Sequence, residues 1–250
     1  MRELLAAGRR PVHEVWMAED LDPASILDEI ERLAARRRVP VRVVARRRLE
    51  SEARTESPQG VLARAGALPE TDLDELCVKR RGRLPFLVVF DGITDPHNLG
   101  ALLRSAECAG VTGVVLPRHR AAHVTPTVTK VAAGAIEHLA MAVVPGVPAA
   151  LRRLDDAGVS SVGLDADAPT SLFALAATTG VDVTGPVALV VGAEDRGLAS
   201  LTRRRCQVVV SIPQHGAIAS LNAAAAGAVA LFELARQRGR EPVVGVEPTT

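Results

Sequence analysis

Apolar positions in the first 76 residues switch between short runs and a helical stripe. Residues 12–17 make an extended run, residues 23–38 place Ile26, Ile30 and Leu33 on one face, and residues 39–45 return to a valine-rich run. Spacings of three and four residues select a helix, and short β-branched runs select strands. These first residues therefore predict a small α/β unit. From Pro85 onward the apolar runs become continuous, at residues 86–90, 113–116, 141–144, 161–164, 187–191 and 208–212. Strands with no polar face belong in a parallel sheet covered on both sides by helices. Helices are predicted over residues 98–109, 125–138, 148–157 and 221–237.

Punctuation between these patterns sets the expected organisation. Residues 54–60 read as a loop, and the basic stretch Lys79-Arg80-Arg81-Gly82-Arg83 has linker composition. The expected division is a unit at 1–76, a linker at 77–84, a larger unit at 85–240 and a frayed tail at 241–250.

Composition then excludes several classes. With 48% hydrophobic and 24% charged residues, the chain can bury a core, so disorder throughout is ruled out. No apolar run reaches the roughly 18 to 20 residues of a membrane-spanning helix, and the start has no secretory pattern, so a cytoplasmic protein is expected. Cys77, Cys108 and Cys206 lie far apart and without ligand spacing, which points to free thiols and to no metal site.

Net charge is only +1, but it is unevenly spread. Eight arginines lie between Arg36 and Arg54 against Glu50 and Glu52, a local balance of +6. A guanidinium fork suits phosphate, so Arg36, Arg37, Arg38, Arg46, Arg47 and Arg48 are candidate RNA contacts. Aromatic residues make up 2% of the chain, which disfavours base stacking as the main grip and favours phosphate and shape recognition.

Three strand-to-helix junctions carry unusual polarity, and open α/β sheets place their ligands at such junctions. The first holds Asn98, readable as a helix N-cap, and Arg104, which six residues of helix turn away from it. The second has GxxxxG spacing without the Lys and Ser/Thr of a nucleotide-binding P-loop, and adds Glu194; its glycines would permit close backbone approach to a ligand. In the third, Ser220 reads as an N-cap, Asn222 as a second capping candidate, and the small residues that follow suit a tight helix crossing.

Taken together and in order, NLGALLR (98–104), GAEDRGL (192–198) and IPQHGAIASLN (212–222) resemble the SpoU (TrmH-type) branch of the SPOUT methyltransferases. Likeness at 117–122 and 125–128 points to the group that modifies a guanosine of 23S rRNA, and residues 1–76 look like that group's L30e-like RNA-binding domain. Pro58 departs from the histidine often found there. The resemblance implies methyl transfer from S-adenosylmethionine to a ribose 2′-hydroxyl of RNA, a trefoil knot near the carboxyl end of the sheet, and a homodimer. It further implies a constellation of Asn98, Arg104, Glu194, Ser220 and Asn222, with Gly192, Ile212 and Leu221 as cofactor contacts. A guanidinium resists deprotonation, so Arg104 is expected to hold phosphate or stabilise a developing alkoxide. The alternatives are a tRNA ribose methyltransferase, a resistance-type rRNA methyltransferase, or a non-catalytic RNA-binding protein of ribosome assembly.

Overall fold

A computed structural model describes residues 1–53, 58–79, 82–119, 121–217 and 220–239. Expectations placed on residues 54–57 (Arg54 included), Arg80, Arg81, Arg120, Ile218, Ala219 and 240–250 lie outside the described residues.

The amino-terminal unit is built on three strands in the order β2-β1-β3. Strand β1 (Val12–Ala18) runs parallel to β2 (Val41–Val44) and antiparallel to β3 (Val61–Ala65). Period-two alternation divides the sheet into two faces. One carries Val15 and Met17 and is buried under α1 (Arg2–Ala7) and α2 (Ser25–Arg36) through Leu5, Ile30 and Ala34. The other carries Glu14 and Trp16 with Arg42, Leu62 and Arg64 in register, and α3 (Arg46–Glu52) covers part of it through Leu49. Ile26, expected on the buried stripe of α2, is exposed. Neither β3 nor α3 was expected, because Arg64 interrupts the first and Leu49 is the only buried residue of the second.

The second unit is a seven-stranded sheet in the order β6-β5-β4-β9-β7-β10-β8. Its strands are β4 (Phe86–Asp91), β5 (Gly113–Pro117), β6 (Ala140–Val144), β7 (Ser160–Leu164), β8 (Thr170–Ser171), β9 (Val187–Gly192) and β10 (Val208–Ser211). Every neighbouring pair is parallel, as the continuous apolar runs require. Helices α5 (Pro96–Cys108), α6 (Pro126–Val131) and α10 (Ala223–Gln237) cover one face. The short α4 (Leu73–Leu76), α7 (Val147–Asp156) and α9 (Ser200–Arg205) lie on the other, while α8 (Leu175–Thr179) flanks β8. Residues before the basic stretch already join this unit: Thr71 N donates to Met141 O at 2.8 Å, and Leu73 and Leu76 enter its core.

The helix expected over 125–138 is broken. Helix α6 stops at Val131, Ala133 and Gly134 take positive φ, and a 3₁₀ turn (Ala135–Glu137) follows. That break is where the two units meet. A Cβ on Gly134 would lie 2.6 Å from the Glu3 side chain, so only glycine admits this approach. Arg10 forks onto the buried Glu137, Arg9 Nη1 donates to Leu139 O at 2.6 Å, and His138 Nε2 lies 2.7 Å from Glu3 Oε2. Among the described residues, no helix is long and apolar enough to cross a membrane and no cluster of metal-ligating side chains occurs.

Candidate active site

Strand order assembles the site. Because β9 inserts between β4 and β7, Asp91 at the end of β4 pairs with Gly192 at the end of β9. The junctions that launch α5 and the loop after β9 are therefore adjacent at one edge of the sheet, where such folds bind ligands.

Local rules then fix each side chain. Asp95, not Asn98, is the N-cap of α5, and its carboxylate accepts from His97 N (3.0 Å) and Asn98 N (3.2 Å), with Pro96 in the first turn. Asn98 is thereby freed from capping, and it is held at 8% exposure. At the other helix the expectation is corrected too. Helix α10 starts at Ala223 rather than Leu221, and its cap is Asn222 rather than Ser220: Asn222 Oδ1 accepts from Ala224 N (2.8 Å) and Ala225 N (3.3 Å). A Cβ on Gly227 would sit 2.3 Å from Leu102 Cδ2, so the small residue lets α10 close onto α5 and carries Asn222 toward Asn98.

Three polar side chains from three junctions then close a ring of hydrogen bonds. Asn98 Nδ2 donates to Glu194 Oε2 at 2.9 Å, and Asn222 Nδ2 donates to Asn98 Oδ1 at 2.9 Å and to Glu194 Oε1 at 3.2 Å. Both Glu194 oxygens are oriented by neutral amides. Among the described residues no cation pairs with Glu194, so neutral amides alone orient its carboxyl group.

The loop that carries Glu194 is pinned twice. Ala193 and Gly197 exchange backbone hydrogen bonds (3.1 and 2.9 Å), and Asp91 Oδ2 accepts from Ala199 N at 2.8 Å. A Cβ on Gly192 would meet Gly197 C at 2.2 Å. The bare Gly192 thus makes room for the chain's own turn at the end of β9. Asp91 was not singled out by sequence, although a carboxylate ending a wholly apolar run was the available signal.

Other expected residues make no side-chain hydrogen bond to the ring among the described residues. Arg104 and Ser220 are exposed, and their side chains make no hydrogen bond or ion pair among the described residues. Ile212 directly follows β10 and packs half-buried on the main core, whereas Leu221 is exposed. Of the arginines, Arg37 Nη2 donates to Ala6 O (2.8 Å), Arg46 pairs with Asp20 (2.6 Å) and Arg48 lies over Trp16. Arg36, Arg38 and Arg47 are exposed and unpaired among the described residues.

Known families match this arrangement on both units. The model of the SpoU rRNA methylase family matches residues 85–232, and that for RNA 2′-O ribose methyltransferase substrate binding matches residues 1–71. The chain belongs to the SpoU rRNA methylase family. It is 38% identical over 238 residues to the 23S rRNA (guanosine-2′-O-)-methyltransferase RlmB of Shewanella oneidensis, covering 94% of this chain and 93% of that protein. RlmB of Pseudomonas putida is 37% identical, with 95% and 94% covered. The crystal structure of the SpoU methyltransferase AviRb from Streptomyces viridochromogenes, in complex with AdoMet, superposes with a TM-score of 0.76 at 27% identity, covering 94% of this chain and 86% of that one. Membership gives the fold a function class, and the hydrogen-bonded ring lies within its matched region.

Proposed function

We propose that this chain is a cytoplasmic S-adenosylmethionine-dependent enzyme that methylates the 2′-hydroxyl of a guanosine in 23S rRNA. The observation that carries the reading is the Asn98–Glu194–Asn222 ring at the carboxyl ends of the parallel strands, in a chain similar to RlmB over nearly its whole length. The neighbouring residues fit the cofactor. Ile212 and Leu221 offer apolar surface for an adenosyl group, and the bare backbone at Gly192 leaves strand-end peptide groups beside it. When bound, the cofactor supplies an electrophilic methyl group.

Everything else falls to the chain. A ribose hydroxyl is a poor nucleophile, so the site must align it and accept its proton or stabilise the developing negative charge. Glu194, with both oxygens directed by Asn98 and Asn222, is a fixed acceptor that undergoes no reorganisation as charge shifts. Arg104, exposed and unpaired, is suited to an RNA phosphate or to the developing alkoxide, since its guanidinium stays protonated. Ser220 stands two residues before the ring, at the loop that RNA and cofactor would share. The arginines of α2 and α3 supply attraction to the RNA backbone.

A second copy completes the proposal. Val229 and Phe232, three residues apart on α10 and 39% and 51% exposed, form an apolar outer face that homodimerisation would cover. The L30e likeness of the first unit and trefoil threading in the second belong to the same reading, which rests on the family match of both units.

The test is to map ribose methylation across rRNA and tRNA in cells with and without the gene. Loss of one 23S guanosine mark, restored by wild type and not by Glu194→Gln, is expected. An unchanged 23S map, or loss of a tRNA mark instead, would overturn the assignment.

A further inference from the structure

We infer that Arg42, Arg48 and Arg64, gathered around Trp16 on the half-covered face of the amino-terminal sheet, form a binding site for RNA phosphodiesters. This rests on the rRNA reading above and names the surface of the first unit that would grip the substrate.

Strand register gathers the three residues from distant sequence. Trp16 pairs with Arg42 on β2 and with Leu62 on β3, while Glu14 pairs with Arg64, so all five side chains share one face. Arg48 reaches the same ring from α3. Its guanidinium carbon lies 5.2 Å from the Trp16 ring centroid and that of Arg64 lies 5.0 Å from it, so the two are within about 10 Å of each other. Arg42 and Arg64 share one carboxylate, with Arg42 Nε 3.2 Å from Glu14 Oε2 and Arg64 Nη1 3.3 Å from Glu14 Oε1.

The cluster is organised yet open. Trp16 is 3% exposed, whereas the Arg42 and Arg64 side chains are 63% and 50% exposed. Indole and carboxylate hold the guanidiniums in place, so less conformational freedom is lost when they bind. Arg42 meets Glu14 through Nε and keeps its terminal nitrogens open, whereas both terminal nitrogens of Arg64 lie on carboxylates, Nη1 on Glu14 and Nη2 on Glu52. Glu14 and the rim residue Glu52, 3.2 Å from Arg64, neutralise only part of the three positive charges.

The stability of α3 does not explain the placement of Arg48. Helix α3 opens with Arg46, Arg47 and Arg48 and has no side-chain cap, which sets three cations against the positive end of a helix dipole. Arg36 and Arg38, in contrast, sit at the far end of α2 on the other side of the sheet, unsupported by any ring or carboxylate among the described residues. Ordered arginines over an aromatic floor suit the phosphates of a folded RNA better than scattered ones.

The protein contains a single tryptophan, so the cluster has its own reporter. The full-length protein is titrated with unmodified 23S rRNA made by in vitro transcription, following Trp16 emission, and affinity is measured by filter retention from about 50 to 200 mM KCl. The expected result is a saturable change in emission, together with a salt slope that falls by about one for each of Arg42→Gln, Arg48→Gln and Arg64→Gln. Arg42→Lys and Arg64→Lys keep the charge and are expected to keep the slope while weakening binding. Should a glutamine variant fail to fold, which its RNA-free emission reveals, the wild-type titration and the lysine variants decide. Undiminished slopes in the folded glutamine variants, with Trp16 emission unmoved at saturation, would overturn the cluster and leave the rRNA reading standing. Failure of the wild type to bind this RNA at low salt would instead overturn that reading, and the proposed site with it.

Discussion

The two units of this chain fix their polar side chains by opposite means. In the second, Asn98, Glu194 and Asn222 are locked by hydrogen bonds from uncharged amide donors above a parallel sheet packed on both faces. In the first, arginines are steadied by shared carboxylates and one indole on a sheet packed fully on one face only. The contrast follows from the tasks proposed for them. Stabilising charge at a reacting atom requires donors and acceptors already in position, whereas holding a polyanion requires charge that tolerates small displacements. Perturbations of the second unit should therefore appear as lost rate, and perturbations of the first as altered binding or folding.

The largest effect is expected from the ring. Asn98→Ala should slow single-turnover methylation by about 10²- to 10³-fold, the scale of losing one positioned donor, with little change in thermal midpoint. Asn222 separates the two roles that meet in one side chain. Asn222→Ser keeps an oxygen for the start of α10 but no amide donor, and should lose rate with α10 intact. Asn222→Ala should lose the same rate and about 1 kcal/mol of stability as well. Normal rates in Asn98→Ala and Asn222→Ser would detach the ring from catalysis and erase the contrast.

Next in size is the joint between the units, where an ion pair is buried. Glu137 is 2% exposed and receives the Arg10 fork. Arg10→Met leaves that carboxylate without its cation and should cost about 3 kcal/mol in urea unfolding. The double variant Arg10→Met/Glu137→Met should recover most of it, because no buried charge is left unpaired. Equal losses in single and double variants would show that packing, not charge, ties the units together.

What could be read in advance divides along the same line. All six apolar runs from 86 to 212 are strands, since a strand covered on both faces has no polar residue to blur its signal. Two-residue β8, with Thr170 and Ser171, gave no such signal. In the first unit β3 and α3 escaped because their polar residues face open surface. At the site, Asn98, Glu194 and Asn222 stood out as polar residues at strand-to-helix junctions, yet which one capped which helix was misjudged. Asp95 outcompetes Asn98 because Pro96 fixes the first helical turn behind it. The proximity of Asn222 and Asn98 depends on Gly227 meeting Leu102, a contact across 125 positions that no local pattern encodes.

Gly192 offers a smaller and sharper probe of the second unit. Its missing side chain is occupied by Gly197 backbone, which cannot swing aside as a side chain could, so Gly192→Ala should cost about 1–3 kcal/mol and displace Glu194. Gly146→Ala adds a methyl where nothing lies within 4 Å, and should change stability by less than about 0.5 kcal/mol. If the two variants melt together, the turn after β9 is looser than its hydrogen bonds imply.

The smallest effect belongs to the first unit and is read through acid. The adjoining Trp16 indole, and after it the guanidiniums of Arg42, Arg64 and Arg48, hold the Glu14 carboxyl below its ordinary value of 4.5. Between the folded and unfolded values the unfolded chain binds more protons, so stability rises with pH across that window. The Glu14 contribution is therefore complete above pH 4.5 and is lost as pH falls through the lower, folded value. Unfolding midpoints followed by Trp16 emission should differ between wild type and Glu14→Gln at neutral pH, and the difference should shrink on acidification. Because the arginines around Glu14 are largely exposed, added salt should narrow the gap as well. A gap independent of both pH and salt would mean that Glu14 acts by packing against Trp16, and the first unit would then be held together by the same means as the second.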